Sequence, residues 1–231
     1  MRKSALFASL SGVSLIAIAA FAVQPAPAHA AECLLDADQD GVASASDTDG
    51  GASSANAADT GNEENLRLAC GTDALANGDS ATAIGYRALA SGFSGVAVGT
   101  GSIASGDHST ATGHDAEATG NRSSAYGDNT LAQGVFSTAV GSVAEALGDR
   151  STVLGAGSFT EVEGATAVGF NAYAESLNGV AVGRETWSGG TNSVAVGFSA
   201  YSQASNSVAL GSASLASGAN SVALGAGSVA V

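Results

Sequence analysis

The sequence predicts an all-β fold, a narrow parallel solenoid of about eleven fourteen-residue coils. Three observations predict it. Twelve glycines, Gly71, Gly85, Gly99, Gly113, Gly127, Gly141, Gly155, Gly169, Gly183, Gly197, Gly211 and Gly225, recur at a spacing of fourteen without a slip. A second series runs seven residues out of phase, from Gly78 to Gly148 and again at Gly190 and Gly218, with Val162, Ser176 and Ala204 in its gaps. Small and β-branched residues alternate ahead of each glycine of the first series, as they do in strands. Self-similarity at a short fixed period marks a stacked-repeat architecture.

Composition agrees and excludes several classes. Glycine is 32 of 231 residues and only 12% are charged, so a disordered chain, richer in charge and proline, is excluded. Glycine does not recur every third residue, which excludes collagen. Hydrophobic residues reach 45% but aromatics only 5%, so a large core of Leu, Ile and Phe is not expected. The net charge of −14 makes nucleic acid a poor partner.

Residues 1–30 read as a secretory signal peptide. Arg2 and Lys3 precede an uncharged apolar run from Leu6 to Val23, two prolines break it, and Ala28-His29-Ala30 offers a cleavage site. An uncleaved anchor is the alternative. All 21 acidic residues lie beyond Ala30 with only five arginines, so the mature chain is near −16. Cys33 and Cys70 are the only cysteines, and in an oxidising compartment they are expected to pair.

Residues 31–70 form an acidic module with nine acids and one base, Arg67. Asp36, Asp38 and Asp40 stand at alternate positions, Gly41 follows, and Val42, Ser44 and Asp47 complete the spacing of a calcium loop. There the Val42 carbonyl and the side-chain oxygens of the other five would converge on Ca2+. Asp47 stands where a longer Glu is usual, which weakens the site. The pattern resembles thrombospondin type 3 repeats more than a paired EF-hand; an acidic solvated linker is the alternative.

Residues 71–231 carry the coils. Two residues before each first-series glycine sits a small residue, Ala83 or Ala97 for example, with Val153 once, and one residue before it an apolar one in most coils, with Thr112 and Tyr126 in two of them. The alanine face suits close approach of another backbone. The other face forms a stripe that includes Val98, Val140, Val168, Val182, Val196, Leu210 and Leu224. In the second segment of each coil the small face recurs at Ala76, Ala90, Ala104, Ala118, Ala132 and Ala146, while the opposite row holds Glu117 and Glu145 and is read as exposed. The stripe, about 50 Å long at the strand spacing, has no cover within one chain. Such a strip invites aggregation unless it packs on copies of itself in a closed oligomer. Phe159, Tyr173, Trp187 and Tyr201 occupy one position of the exposed row in four successive coils, and are candidates for an adhesive surface or for a stiffening stack.

Asn192-Ser193-Val194-Ala195-Val196-Gly197, Asn206-Ser207-Val208-Ala209-Leu210-Gly211 and Asn220-Ser221-Val222-Ala223-Leu224-Gly225 resemble the Asn-Ser-Val-Ala-Ile-Gly repeat of YadA-like trimeric autotransporter adhesin heads. The resemblance covers about residues 71–231. It implies a left-handed parallel β-roll, a homotrimer, outer-membrane display, virulence-type attachment to a matrix protein, glycan or abiotic surface, and no catalysis. That family carries a neck, a stalk and a membrane barrel. Here no heptad run or barrel is found and the sequence ends in mid-coil, so the membrane anchor is expected outside this chain: a fragment, a secreted protein, or an end covered by another chain.

Enzymatic signatures are missing from the sequence: no nucleophile elbow, no Walker loop, no zinc spacing. His108 and His114 are placed on turns, where threefold symmetry could gather them around a metal, although exposed turn histidines are the plainer reading. Two rival classes fit the sequence less well. An ice- or surface-binding solenoid needs a Thr-x-Thr ladder, and only Thr110 and Thr112 fit. A carbohydrate-active β-helix needs acids clustered with basic residues in a groove, which thinly charged coils do not supply.

Overall fold

The structure is a computed structural model and describes residues 53–54 and 67–231. Two parallel sheets run the length of the stack. Two-residue strands, from Ser53–Ser54 through Leu75–Ala76 to Val229–Ala230, make a 13-stranded sheet. Three-residue strands, from Leu68–Cys70 to Val222–Leu224, make a 12-stranded sheet. Every strand pairs with its counterpart one coil away, in register: Ala139 opposite Val153 and Ala125, Val196 opposite Val182 and Leu210. The stack thus has about twelve turns, one more than the glycine count predicts. The extra turn arises because Leu68–Cys70 already pairs with Thr82–Ile84, and Ser53–Ser54, from within the acidic segment, pairs with Leu75–Ala76.

Why these residues form so tight a coil follows from the turns. Each coil turns twice, closed by backbone bonds such as Ala74 N to Gly71 O (3.0 Å) and Ala81 N to Gly78 O (3.1 Å). The third residue of each turn is left-handed: Asp73 at φ 57°, Arg122 at 58°, Asn206 at 57°. A turn with positive φ at that place favours Gly or Asn. The glycine that opens the turn is constrained differently. Gly71 lies at φ +121°, and a Cβ there would stand 2.7 Å from the carbonyl of Gly85 in the next coil. Stacked backbones therefore meet at the glycine column with no room for a side chain, which explains its unbroken period.

The interior is filled almost wholly by small residues. Ala83, Ala97, Ala111, Ala125 and Ala139 on one sheet face Ala76, Ala90, Ala104, Ala118 and Ala132 on the other, all fully buried. Val153 is the bulkiest fully buried side chain. So thin a core buries little apolar surface per residue, and the hydrogen-bonded backbone ladder carries much of the organisation. Ser193 points inward and is fully buried. The outward stripe behaves as its pattern predicts. Val98, Val168, Val182, Val196 and Leu210 are half-buried, while Val140 is 36% and Leu224 73% exposed.

Candidate functional site

A solenoid offers function only its two outer faces and its turns, since the interior is closed. The outer face of the two-residue strands carries Phe159, Tyr173, Trp187 and Tyr201 on four neighbouring strands in register. The row does not stack evenly. Phe159 and Tyr173 form one ring pair, centroids 6.4 Å apart and tilted 48°. Trp187 and Tyr201 form another at 6.0 Å and 51°. Between Tyr173 and Trp187 there is no ring contact, and a hollow of about 500 Å3 opens there, lined by Asn171, Tyr173, Glu175, Glu185, Trp187 and Tyr201. The continuous ladder expected from the sequence is thus two pairs around a depression.

Local sequence explains the gap. Gly189 follows Trp187 by two positions on the same face, and a Cβ at 189 would collide with the six-membered ring of the indole. The ring lies over a backbone position that carries a side chain in the neighbouring coils, Glu175 and Gln203. Turned that way, the indole leaves its flank toward Tyr173 open.

A second feature of this surface escaped sequence reading. Arg184 sits on a turn with its guanidinium 5.9 Å from the Phe170 ring centre and 5.6 Å from that of Phe198, one coil to either side. It also holds Glu185, with Nη2 3.0 Å from Oε1. Elsewhere Arg122 covers Phe136 at 5.3 Å and Arg87 covers Tyr86 at 5.7 Å. The signal was available: all of these lie one or fourteen residues apart in the repeat, and in-register coils bring such positions together.

The two turn histidines go separate ways. His108 meets the edge of Phe93 at 5.2 Å, while His114 Nδ1 lies 3.0 Å from Asp128 Oδ1. Among the described residues no cluster of three or more His, Cys, Asp or Glu could hold a metal ion. Asp36, Asp38, Asp40, Val42, Ser44 and Asp47 of the calcium loop, Cys33 and the signal segment lie outside the described residues. Cys70 ends the strand Leu68–Cys70 and is half-buried.

Repeats of the YadA head domain match residues 68–88, 90–116, 104–130, 132–158, 163–186, 188–214 and 202–228, well over half of the chain. The chain belongs to the YadA head family. The match begins at residue 68, where the in-register three-residue strands also begin. Family and fold are those of an adhesin rather than an enzyme. Among solved structures, the collagen-binding domain of the Yersinia adhesin YadA is similar, with 32% identity over 55% of this chain and 63% of that one and a TM-score of 0.38. The chain thus spans less than two thirds of that domain's length. No curated protein sequence matches it.

Proposed function

We propose that this YadA head chain is the binding head of a homotrimeric surface adhesin, exported through residues 1–30 and attached to its target through the outer face of the two-residue strands. One observation carries the reading. Along the stack the three-residue strands point Ala inward, with Val153 once, and mostly Val, Leu or Ile outward, Thr112 and Tyr126 interrupting the row, and the outward residues stay half-exposed or exposed in the single chain. An apolar strip of that length calls for a partner of the same length and pitch, and further copies of the chain supply it. Packing three strips on a common axis leaves the opposite sheet, with its aromatic row, facing solvent.

Matrix proteins, glycans and abiotic surfaces are the candidate targets, at the cell surface or outer membrane when an anchor is joined to the head. The segment 31–70 would serve as a Ca2+-binding cap closed by a Cys33–Cys70 bridge, worth roughly 4 kcal/mol in the chain-entropy picture.

Val196→Asp tests the assembly. It places three unpaired carboxylates on the shared axis, each costing several kcal/mol to bury. Sedimentation should show the trimer lost or the protein unfolded, whereas Glu145→Lys on the opposite face should sediment as wild type. A folded, monomeric wild-type head would remove the trimer reading.

A further inference from the structure

We infer that the hollow between Tyr173 and Trp187 is a binding slot for a cationic side chain, an arginine or lysine presented by an extended segment of a protein ligand. The inference rests on the adhesin reading and gives its outer face a ligand chemistry. The surface itself shows what is missing there. Outside the hollow, four of the seven described aromatic rings are covered by a cation of the same chain, Tyr86 by Arg87, Phe136 by Arg122, Phe170 and Phe198 by Arg184, while Phe93, Tyr126 and Phe159 are not. Tyr173, Trp187 and Tyr201 carry none, although their rings border an open space and the two tyrosines are 37% and 41% exposed.

The carboxylates tell the same story. Glu185 on the rim is held by Arg184 at 3.0 Å, but Glu175 on the same rim has no ion-pair or side-chain hydrogen-bond partner among the described residues. Three aromatic side chains and one unpaired carboxylate line an open depression of about 500 Å3 that holds no cation of the chain. A guanidinium fits it best, because a planar cation stacks on a ring while donating to a carboxylate. The chain's charge of −14 favours the approach of a basic segment over an acidic one. Gly189 keeps the slot open: any side chain there would push the indole from its place.

Trp187 is the only tryptophan of the chain, so its emission reports the slot directly. The experiment titrates the full-length folded protein with acetyl-Gly-Arg-Gly-amide while following tryptophan fluorescence. Acetyl-Gly-citrulline-Gly-amide, of the same shape without the charge, and a neutral N-acetylglucosamine trisaccharide run in parallel. The expected result is a saturable change with the arginine peptide only, with affinity about fivefold weaker in Glu175→Gln, the upper end of a solvent-exposed ion pair. Glu145→Gln, outside the hollow, should leave the titration unchanged. A flat titration, an equal response to the citrulline peptide, or a response confined to the trisaccharide overturns the proposal, the last by making the slot a sugar site. Attachment of the intact protein to a target surface is measured on the same preparation. Attachment with a silent Trp187 removes the slot and leaves the adhesin reading. A peptide response without attachment keeps the slot and removes that reading.

Discussion

Residues 104–151 and residues 188–207 are built on the same backbone and fill it differently. In the later coils Ser188 faces Ser193 with hydroxyl oxygens 2.6 Å apart, and Ser202 faces Ser207 at 2.7 Å. In the earlier coils Ser109, Ser123, Ser137 and Ser151 occupy the place of Ser193, but Ala104, Ala118, Ala132 and Ala146 stand opposite. Those four hydroxyls are buried with no hydrogen-bond partner among the described residues. The turns differ in the same sense. Asn178, Asn192, Asn206 and Asn220 form a ladder, each Nδ2 donating to the next Oδ1 at 3.2 to 3.3 Å. The corresponding left-handed positions of the earlier coils hold His108, Arg122, Phe136 and Arg150. One frame therefore tolerates both a satisfied and an unsatisfied lining. What the coils share, the glycine column and the interstrand ladder, sets the fold; what they do not share sets local stability.

The frame should break equally in both regions, and this is the largest effect expected. Gly141 lies at φ +133° with a Cβ position 2.6 Å from the Gly155 carbonyl carbon, and Gly197 at φ +139° with one 2.5 Å from the Gly211 oxygen. Backbone strain and a clash with backbone act together at each site. Gly141→Ala and Gly197→Ala should each abolish cooperative melting or lower the midpoint by more than 10 °C. A variant that melts as wild type would show that coils can slide apart locally, and would weaken the idea of a shared rigid frame.

The linings should respond in opposite directions. Ala132→Ser gives Ser137 a partner, and the Ser188–Ser193 pair shows that two hydroxyls fit at equivalent places. Ser202→Ala removes the partner of Ser207, which keeps only its bond to the Ala204 carbonyl at 2.6 Å. A satisfied buried hydrogen bond contributes about 0.5–1.5 kcal/mol. Denaturant melts should place Ala132→Ser above wild type and Ser202→Ala below it by amounts of that order. Equal shifts of one sign would mean that buried hydroxyls do not distinguish the two regions.

At the turns the expected change is about 1 kcal/mol. Val143 is β-branched and sits at φ 57°, where such residues are outliers. Asn occupies the equivalent turn position at Asn129 and Asn171, one and two coils away, with φ 53° and 50°. Val143→Asn should stabilise by about 1 kcal/mol by relieving left-handed strain, while Asn206→Val, which imports the strain and breaks the ladder, should destabilise by at least as much. Chemical denaturation of the pair reads both signs.

Sequence periodicity was enough to place the alanine core, the outward Val and Leu stripe and the turns, because each depends only on the residue's place in a fixed period. Twelve glycines in register admit one stacking. The ring pairs were not legible. Phe159, Tyr173, Trp187 and Tyr201 share a column, but the gap in it depends on which way the indole turns, and that is decided by Gly189, just beyond the strand Trp187–Ser188. The Arg184 sandwich lies in a column that also holds Thr72, Asp128 and Ala156. Column averages hide an interaction built from three consecutive members. Features confined to two or three coils are invisible to a repeat pattern for the same reason that the frame is visible in it.

The smallest expected effect on stability falls on the aromatic row, and it separates binding from stiffening. Neither Tyr173 nor Trp187 is needed to fill the interior, whose faces at these strands are Ala174 and Ser188. Each ring pair contributes about 0.5–1.5 kcal/mol at best, and Tyr173→Ala with Trp187→Ala removes one ring from each of the two pairs. Spread over about twelve coils, that loss should move the melting midpoint of the assembled head by no more than a few degrees. Attachment should fall much further, because rigid, half-exposed aromatic side chains are typical of the few residues that dominate an interface. A stack that served only to stiffen the coil would give the reverse: a large drop in melting temperature and unchanged attachment per folded molecule. Gly189→Ser sharpens the comparison. It leaves every ring in the chain, yet displaces the indole from over residue 189, so attachment that falls in Gly189→Ser with melting unchanged ties binding to the shape of the hollow rather than to the number of rings around it.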